Sequence, residues 1–232
     1  MSLIWEGIKN AILLVFSADP DVWEITLLSL QVSLLATGIS MIIGMPLGTW
    51  LALGKFTGRG FLLSLVNTGM ALPPVVVGLL VSILLWRSGP MGDLHLIYTP
   101  TAIIIAQVFI AAPVVTGLTV AALQQLNPRL RLQILGLGAS QSQMIWALWK
   151  EARLPLLAAL MAGFGSVISE VGASMMVGGN IRHQTRVLTT AIVLETGKGE
   201  FARAIALGLI LLILAYCVNL ALTTIQQRGV RR

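Results

Sequence analysis

Residues 25–53 read ITLLSLQVSLLATGISMIIGMPLGTWLAL, an apolar run without one charged side chain. Roughly 20 apolar residues in a helix cross the hydrocarbon core of a bilayer. This run is long enough to do so with tilt to spare. Four more runs follow it: residues 61–86, interrupted by Pro73 and Pro74; residues 101–126, with Pro113 inside; residues 154–177, carrying Glu170; and residues 204–225. The pattern predicts an all-α integral membrane protein that crosses a bilayer about five times.

The composition agrees. Of 232 residues 56% are hydrophobic and 10% charged, and the mean hydropathy is +0.91. A soluble domain of this size needs more charge to cover its surface, whereas a membrane protein turns much of its surface to lipid. The net charge of +6 invites a nucleic-acid reading. A nucleic-acid binder gathers its basic residues into a patch; here they are scattered among short connections, so nucleic acid is not an expected partner. Residues 1–20 carry Glu6 and Lys9 inside an apolar stretch and lack a small-x-small cleavage site. Ile4, Ile8, Ala11, Ile12 and Val15 fall at helical spacing, which predicts an amphipathic helix lying at the interface. A short sixth span is the alternative.

Little in the chain suits catalysis. Nothing matches the phosphate-binding loop G-x-x-x-x-G-K-[ST], since Gly197-Lys198 is followed by Gly199. His95, His183 and Cys217 stand far apart, without metal-ligand spacing. No catalytic residue, metal or cofactor is therefore expected in this chain, and it is read as a non-enzyme.

Lys and Arg set the orientation. With five spans, one set of connections holds Lys55, Arg59, Arg129, Arg131, Lys150, Arg153, Arg228, Arg231 and Arg232, against a single acid, Glu151. The other set holds fewer basic residues and most of the acids, including Asp19, Asp21, Asp93, Glu195 and Glu200. The first set is expected in the cytoplasm, with the N-terminus outside and the C-terminus inside.

Two connections exceed a turn. Residues 127–153 open on Asn127-Pro128, pass through Leu137-Gly138-Ala139-Ser140 and continue with Met144, Ile145, Leu148 and Trp149. Two short helices around a glycine hinge on the inner face fit this pattern. So does a surface on which another protein docks. In the outer stretch, residues 178–201, the middle at 187–194 is apolar enough to dip back into protein or membrane.

Within the spans, Glu170 is the one deep acid. A charge there costs at least about 2.5 kcal/mol, so it normally faces a protein partner or water. Structural pairing is preferred over a proton relay, which needs a chain of such groups. Pro73-Pro74 removes two backbone donors in mid-span and must break or bend the helix. Broken helices near the midplane often mark a substrate path, although packing kinks arise the same way. Gly44 and Gly48 supply a small-xxx-small contact face in the first run.

Taken together, several strings resemble the permease subunits of molybdate/tungstate-type ABC importers. They are Leu72-Pro73-Pro74-Val75-Val76-Val77-Gly78 with Gly89-Pro90-Met91-Gly92, and Ser169-Glu170-Val171-Gly172-Ala173-Ser174 continuing through Gly179-Asn180-Ile181 to Thr185 and residues 188–192. The pair Leu137-Gly138-Ala139-Ser140 and Glu151-Ala152-Arg153-Leu154-Pro155 resembles the loop on which such permeases dock their ATPase. The likeness covers residues 25–226. Two departures stand out: Leu132-Gln133-Ile134 replaces the family's Glu-Ala-Ala, and Gly138 lies one helical turn further from Pro155 than usual. Both are similar to the tungstate branch, and Leu132 forbids a charge-for-charge transfer of docking contacts.

The resemblance implies a type I ABC importer permease fold over residues 24–226, with a coupling loop at 127–153. It implies a homodimer in the cytoplasmic (inner) membrane, two cytoplasmic subunits that bind the ATP and Mg, and an extracytoplasmic oxyanion-binding protein. The cargo would be tungstate, with molybdate or sulfate as alternatives; a secondary transporter is the rival of another class. Coupling would fall to Leu137, Gly138, Ala139, Ser140, Glu151, Ala152 and Arg153. Gating or path-lining would fall to Pro73, Pro74, Glu170, Gly172 and Ser174.

Overall fold

A computed structural model describes residues 20–230 together with Trp5, Ile8 and Lys9, with side chains as far as Gln227. The interfacial helix expected over residues 1–20 falls outside the described residues. Those residues form helices α1 (Pro20–Leu53), α2 (Arg59–Ala71), α3 (Pro74–Leu85), α4 (Pro100–Gln124), α5 (Pro128–Gly136), α6 (Gln141–Glu151), α7 (Arg153–Ile168), α8 (Gly172–Gly178), α9 (Leu188–Gly197) and α10 (Phe201–Val230), with one 3-10 turn at Gly92–Leu94. No strand occurs among them.

Every apolar run is helical. α1, α4 and α10 are each long and apolar enough to cross a membrane unbroken. α2 and α3 form a further span only as a bent pair, turned by 102° at Leu72–Pro73. The second bent pair, α6 and α7, turns by 74°. Three to five crossings follow from length and composition. The apolar run 154–177, expected as one helix, is interrupted at residues 169–171, so that α7 is followed by the short α8.

Local chemistry explains the element ends. α4 starts where Thr99 accepts from Ala102 N–H and Pro100 takes the first helical position, where its missing N–H costs nothing. Asn127 and Pro128 repeat that arrangement at α5. Ser140 caps α6 in a reciprocal pair with Gln143. Along α1 the hydroxyls of Thr26, Ser29, Thr37 and Thr49 donate to the carbonyls four residues back at 2.7 Å. This satisfies them inside an apolar helix.

α1 packs chiefly on α4. Gly44 and Gly48 make the approach possible: a Cβ on Gly44 would meet Val115 Cγ1 at 2.9 Å, and one on Gly48 would meet Thr116 O at 2.7 Å. The expected small-residue face is thus the helix contact itself. Three apolar clusters stack along the bundle. One, around Val22, Leu188 and Leu207, holds α9 against α1 and α10. The second, around Val32, Val81, Ile103 and Val177, fills the middle. The third, around Leu123, Met144, Leu148 and Leu156, roots the α5–α6 pair in the opposite end from the first.

Candidate functional site: an anchored handle and a seam of broken helices

The α5–α6 pair is a hinge-and-lever built from residues 127–153. Its root is buried: Met144, Leu148 and Ala152 join Ala122, Leu123 and Leu156. Trp149 Nε1 donates to Thr49 Oγ1 at 2.8 Å and Arg131 Nη1 to Leu53 O at 3.1 Å, which ties both short helices to the end of α1. The opposite side is bare. Leu132, Leu137 and Trp146 are 69%, 89% and 68% exposed. These large apolar side chains are held outward on an element whose other side is anchored. Gly138 makes the corner in the left-handed region, at φ +84°, and Ser140 starts the next helix.

Of the expected coupling residues, Leu137, Gly138, Ser140, Glu151 and Arg153 lie on the accessible side, with Ala139 half-buried. Ala152 does not. It is fully buried at the 74° turn between α6 and α7, inside the root cluster. Its side chain therefore packs inside this chain and is not on the exposed face of the handle.

The second constellation lies where the two interrupted spans meet. α3 and α8 pack backbone to backbone: a Cβ on Gly78 would lie 2.6 Å from Ala173 Cα, and one on Gly172 would lie 2.5 Å from Val75 Cγ2. The break at Pro73–Pro74 and the break at 169–171 therefore form one seam. Pro73, Pro74 and Gly172 are brought together there. Pro73 is on the surface of the chain, while Glu170 and Ser174 are buried behind it.

Glu170 holds the seam in two ways. Its Oε1 accepts from Ala173 N–H at 2.8 Å, so the carboxylate caps the first turn of α8. Its backbone carbonyl accepts from Thr189 Oγ1 at 2.8 Å, which fastens α9 to the break. Leu188 N–H, beside it, donates to Ser29 Oγ at 2.7 Å. The apolar middle of the outer stretch thus packs back into the protein, as its composition predicts. Pairing, not proton relay, is what the geometry gives Glu170. Replacing it by leucine removes the cap from a buried amide, at a cost of about 1–3 kcal/mol. Glu170→Leu is expected to lower the unfolding temperature of the detergent-purified chain by several degrees. Glu170→Gln keeps an acceptor at Oε1 and should recover most of the loss. Equal melting of both variants and the parent would refute the capping role.

Sequence reasoning passes over Gln107. Its Nε2 donates to Val167 O at 3.3 Å, and its Oε1 has no partner. A single amide among the uncharged residues 101–123 was the available signal. Gln107, Ser29, Ser33, Glu170 and Thr189 surround a cavity of about 10 Å³, room for about one water. On the surface at the start of α1, Arg182 pairs with Asp21 and His183 Nδ1 lies 2.8 Å from Glu24 Oε2. These exposed pairs tie the start of α1 to the outer stretch; such contacts typically contribute below about 1 kcal/mol each.

Comparison with known proteins fits this architecture. The chain is 38% identical over 227 residues to the tungstate uptake system permease protein TupB of Peptoclostridium acidaminophilum, an alignment covering 98% of this chain and 100% of that protein. It is 40% identical over 201 residues to a probable anion ABC transporter permease protein of Haloferax volcanii, covering 84% and 87% of the two chains. Among solved structures, an inward-facing MetNI methionine ABC transporter has a chain that superposes with a TM-score of 0.70 at 21% identity, covering 90% of this chain and 94% of that one. The last likeness concerns the fold. Residues 44–231 match the family described as binding-protein-dependent transport system inner membrane component. The chain belongs to that family: it is a membrane permease subunit of the ABC-importer kind.

Proposed function

We propose that this permease carries tungstate inward, working as a homodimer in the cytoplasmic membrane with two ATP-binding subunits on the inner face and an oxyanion-binding protein outside. The observation that carries the reading is the anchored handle. Residues 127–153 hold an apolar face outward while their root enters the core formed with α1, α4 and α7. A partner that pulls on Leu132, Leu137 and Trp146 moves that root, and through it the spans. The cargo follows from the 38% identity to a tungstate permease over nearly the whole chain. Orientation follows from Lys and Arg: the handle and C-terminus inside, the N-terminus outside. In this reading residues 24–226 form the permease domain, and the seam at Pro73, Pro74, Glu170, Gly172 and Ser174 is where it flexes.

Mechanically, the handle needs no chemistry of its own. Closure of an ATPase dimer draws two handles together, and each bundle responds as a lever with its bend at the seam. Selection of the anion then belongs to the binding protein. This fits a chain whose deep spans offer no cationic pocket, since a bare dianion is far too costly in hydrocarbon.

The test is uptake by proteoliposomes holding this chain, the ATPase and the binding protein. Labelled tungstate is expected to accumulate only with ATP inside and binding protein outside. Accumulation without nucleotide hydrolysis would overturn the reading in favour of a secondary transporter. Molybdate or sulfate carried in preference to tungstate would overturn the choice of cargo alone.

A further inference from the structure

The inner end of α1 opens on a second feature that the transport cycle does not use. A groove of about 840 Å³ lies between the last turn of α1, the 54–58 connection, the end of α4 and helix α5. Its walls carry Lys55, Arg59 and Arg131 beside the apolar Leu53, Leu126 and Leu135, and no acid lines it. None of the ion pairs among the described residues involves these three cations. The outer pocket, of about 260 Å³, is the contrast. Its cations share it with Asp21, Glu24 and Glu195, and Arg182 and Lys198 are already paired there.

The two inner guanidinium groups are held in place. Arg59 Nε donates to Leu51 O at 2.7 Å, and Arg131 Nη1 donates to Leu53 O at 3.1 Å. Each commits one N–H to a carbonyl, and a guanidinium has five. The remaining donors are free for a tetrahedral oxygen cluster, which such forks bind with two parallel bonds.

We propose that this groove is a binding site for the headgroup phosphate of an anionic phospholipid. Arg59, Arg131 and Lys55 contact the phosphate, and the glycerol and first methylenes lie on the leucine walls. A free tetrahedral anion shares the phosphate chemistry but has no use for those walls, so the amphiphilic lining selects the lipid. The inference rests on the orientation proposed above, which puts the groove at the anionic inner leaflet. Of the handle's docking face, Leu132 also lines the groove, whereas Leu137 and Trp146 are not among its walls.

Native mass spectrometry of the detergent-purified full chain, with phosphatidylglycerol or phosphatidylcholine added, tests the site. Phosphatidylglycerol is expected to be retained at least tenfold better, and Lys55→Gln with Arg131→Gln should reduce it to the phosphatidylcholine level. Arg131 also holds Leu53 O, so the decisive variant is Lys55→Gln alone, which removes no hydrogen bond of the fold. It should cut retention severalfold with unchanged melting. Equal retention of the two lipids, or full retention by Lys55→Gln, would overturn the site. Displacement by millimolar inorganic phosphate or tungstate without any lipid preference would reassign it to a free oxyanion and overturn the lipid proposal. No ATPase or binding protein is present, so a negative result leaves the uptake reading standing, and a failed uptake assay leaves this one untouched.

Discussion

Gly78→Ala is expected to lower the unfolding temperature of the purified permease by several degrees. The added Cβ would sit 2.6 Å from Ala173 Cα and 3.2 Å from its Cβ. The nearest atom is backbone, so neither helix relieves the contact by turning a side chain. Either α3 or α8 must move, and overpacking of this kind costs about 1–3 kcal/mol. Because the same contact joins the two interrupted spans, the displacement spreads to Glu170 and, through its carbonyl, to Thr189. Gly38→Ala is the matched control. It also lies within a helix, but a Cβ there meets nothing within 4 Å, so it should be neutral or stabilising by up to about 1 kcal/mol. A melting curve for Gly78→Ala that overlays the parent would mean that α3 and α8 do not pack as described.

The second large effect separates coupling from stability. Gly138→Val places a β-branched residue at φ +84°, in open space. Nothing clashes, so the penalty is backbone strain of about 1–2 kcal/mol or somewhat more for a β-branched side chain. The α5–α6 corner relieves it by changing its angle, which displaces Leu137 and Leu132 relative to Trp146. The buried root, around Met144 and Leu148, is unaffected. In proteoliposomes the variant is expected to lose at least tenfold in ATP-driven uptake and in stimulation of the partner ATPase, with little change in melting. Gly138→Asn, which tolerates the left-handed region, should retain most coupling. Gly199→Val carries a similar strain at φ +81° in open space, but outside the handle, and should couple normally. If the Gly138 variant drives the ATPase as well as the parent does, the handle has been placed on the wrong segment.

The apolar segments were legible in the sequence because each reads as a long run with at most one charge. So was the break at Pro73–Pro74, since a missing N–H is a local property of the residue. The handle announced itself through Asn127-Pro128, Gly138 and Ser140, all of which act within a turn of their own position. What could not be read is tertiary. The interruption at 169–171 depends on Glu170 bonding Ala173 N–H while Thr189, 19 residues on, takes its carbonyl. The burial of Ala152 depends on a 74° turn that packs it into the root cluster. Nor does any periodicity show that Gly78 and Gly172 press the two breaks together.

The small cavity beside Gln107 has a consequence for the route of the cargo. At about 10 Å³ it admits one solvent molecule, and a four-oxygen anion is several times larger. The hydroxyl of Ser29, on its wall, already gives its proton to its own helix. This cavity is therefore no corridor for such an ion. In the homodimer proposed above, an ion of that size would pass along the boundary between the two copies, and pairing would be the event that creates the channel.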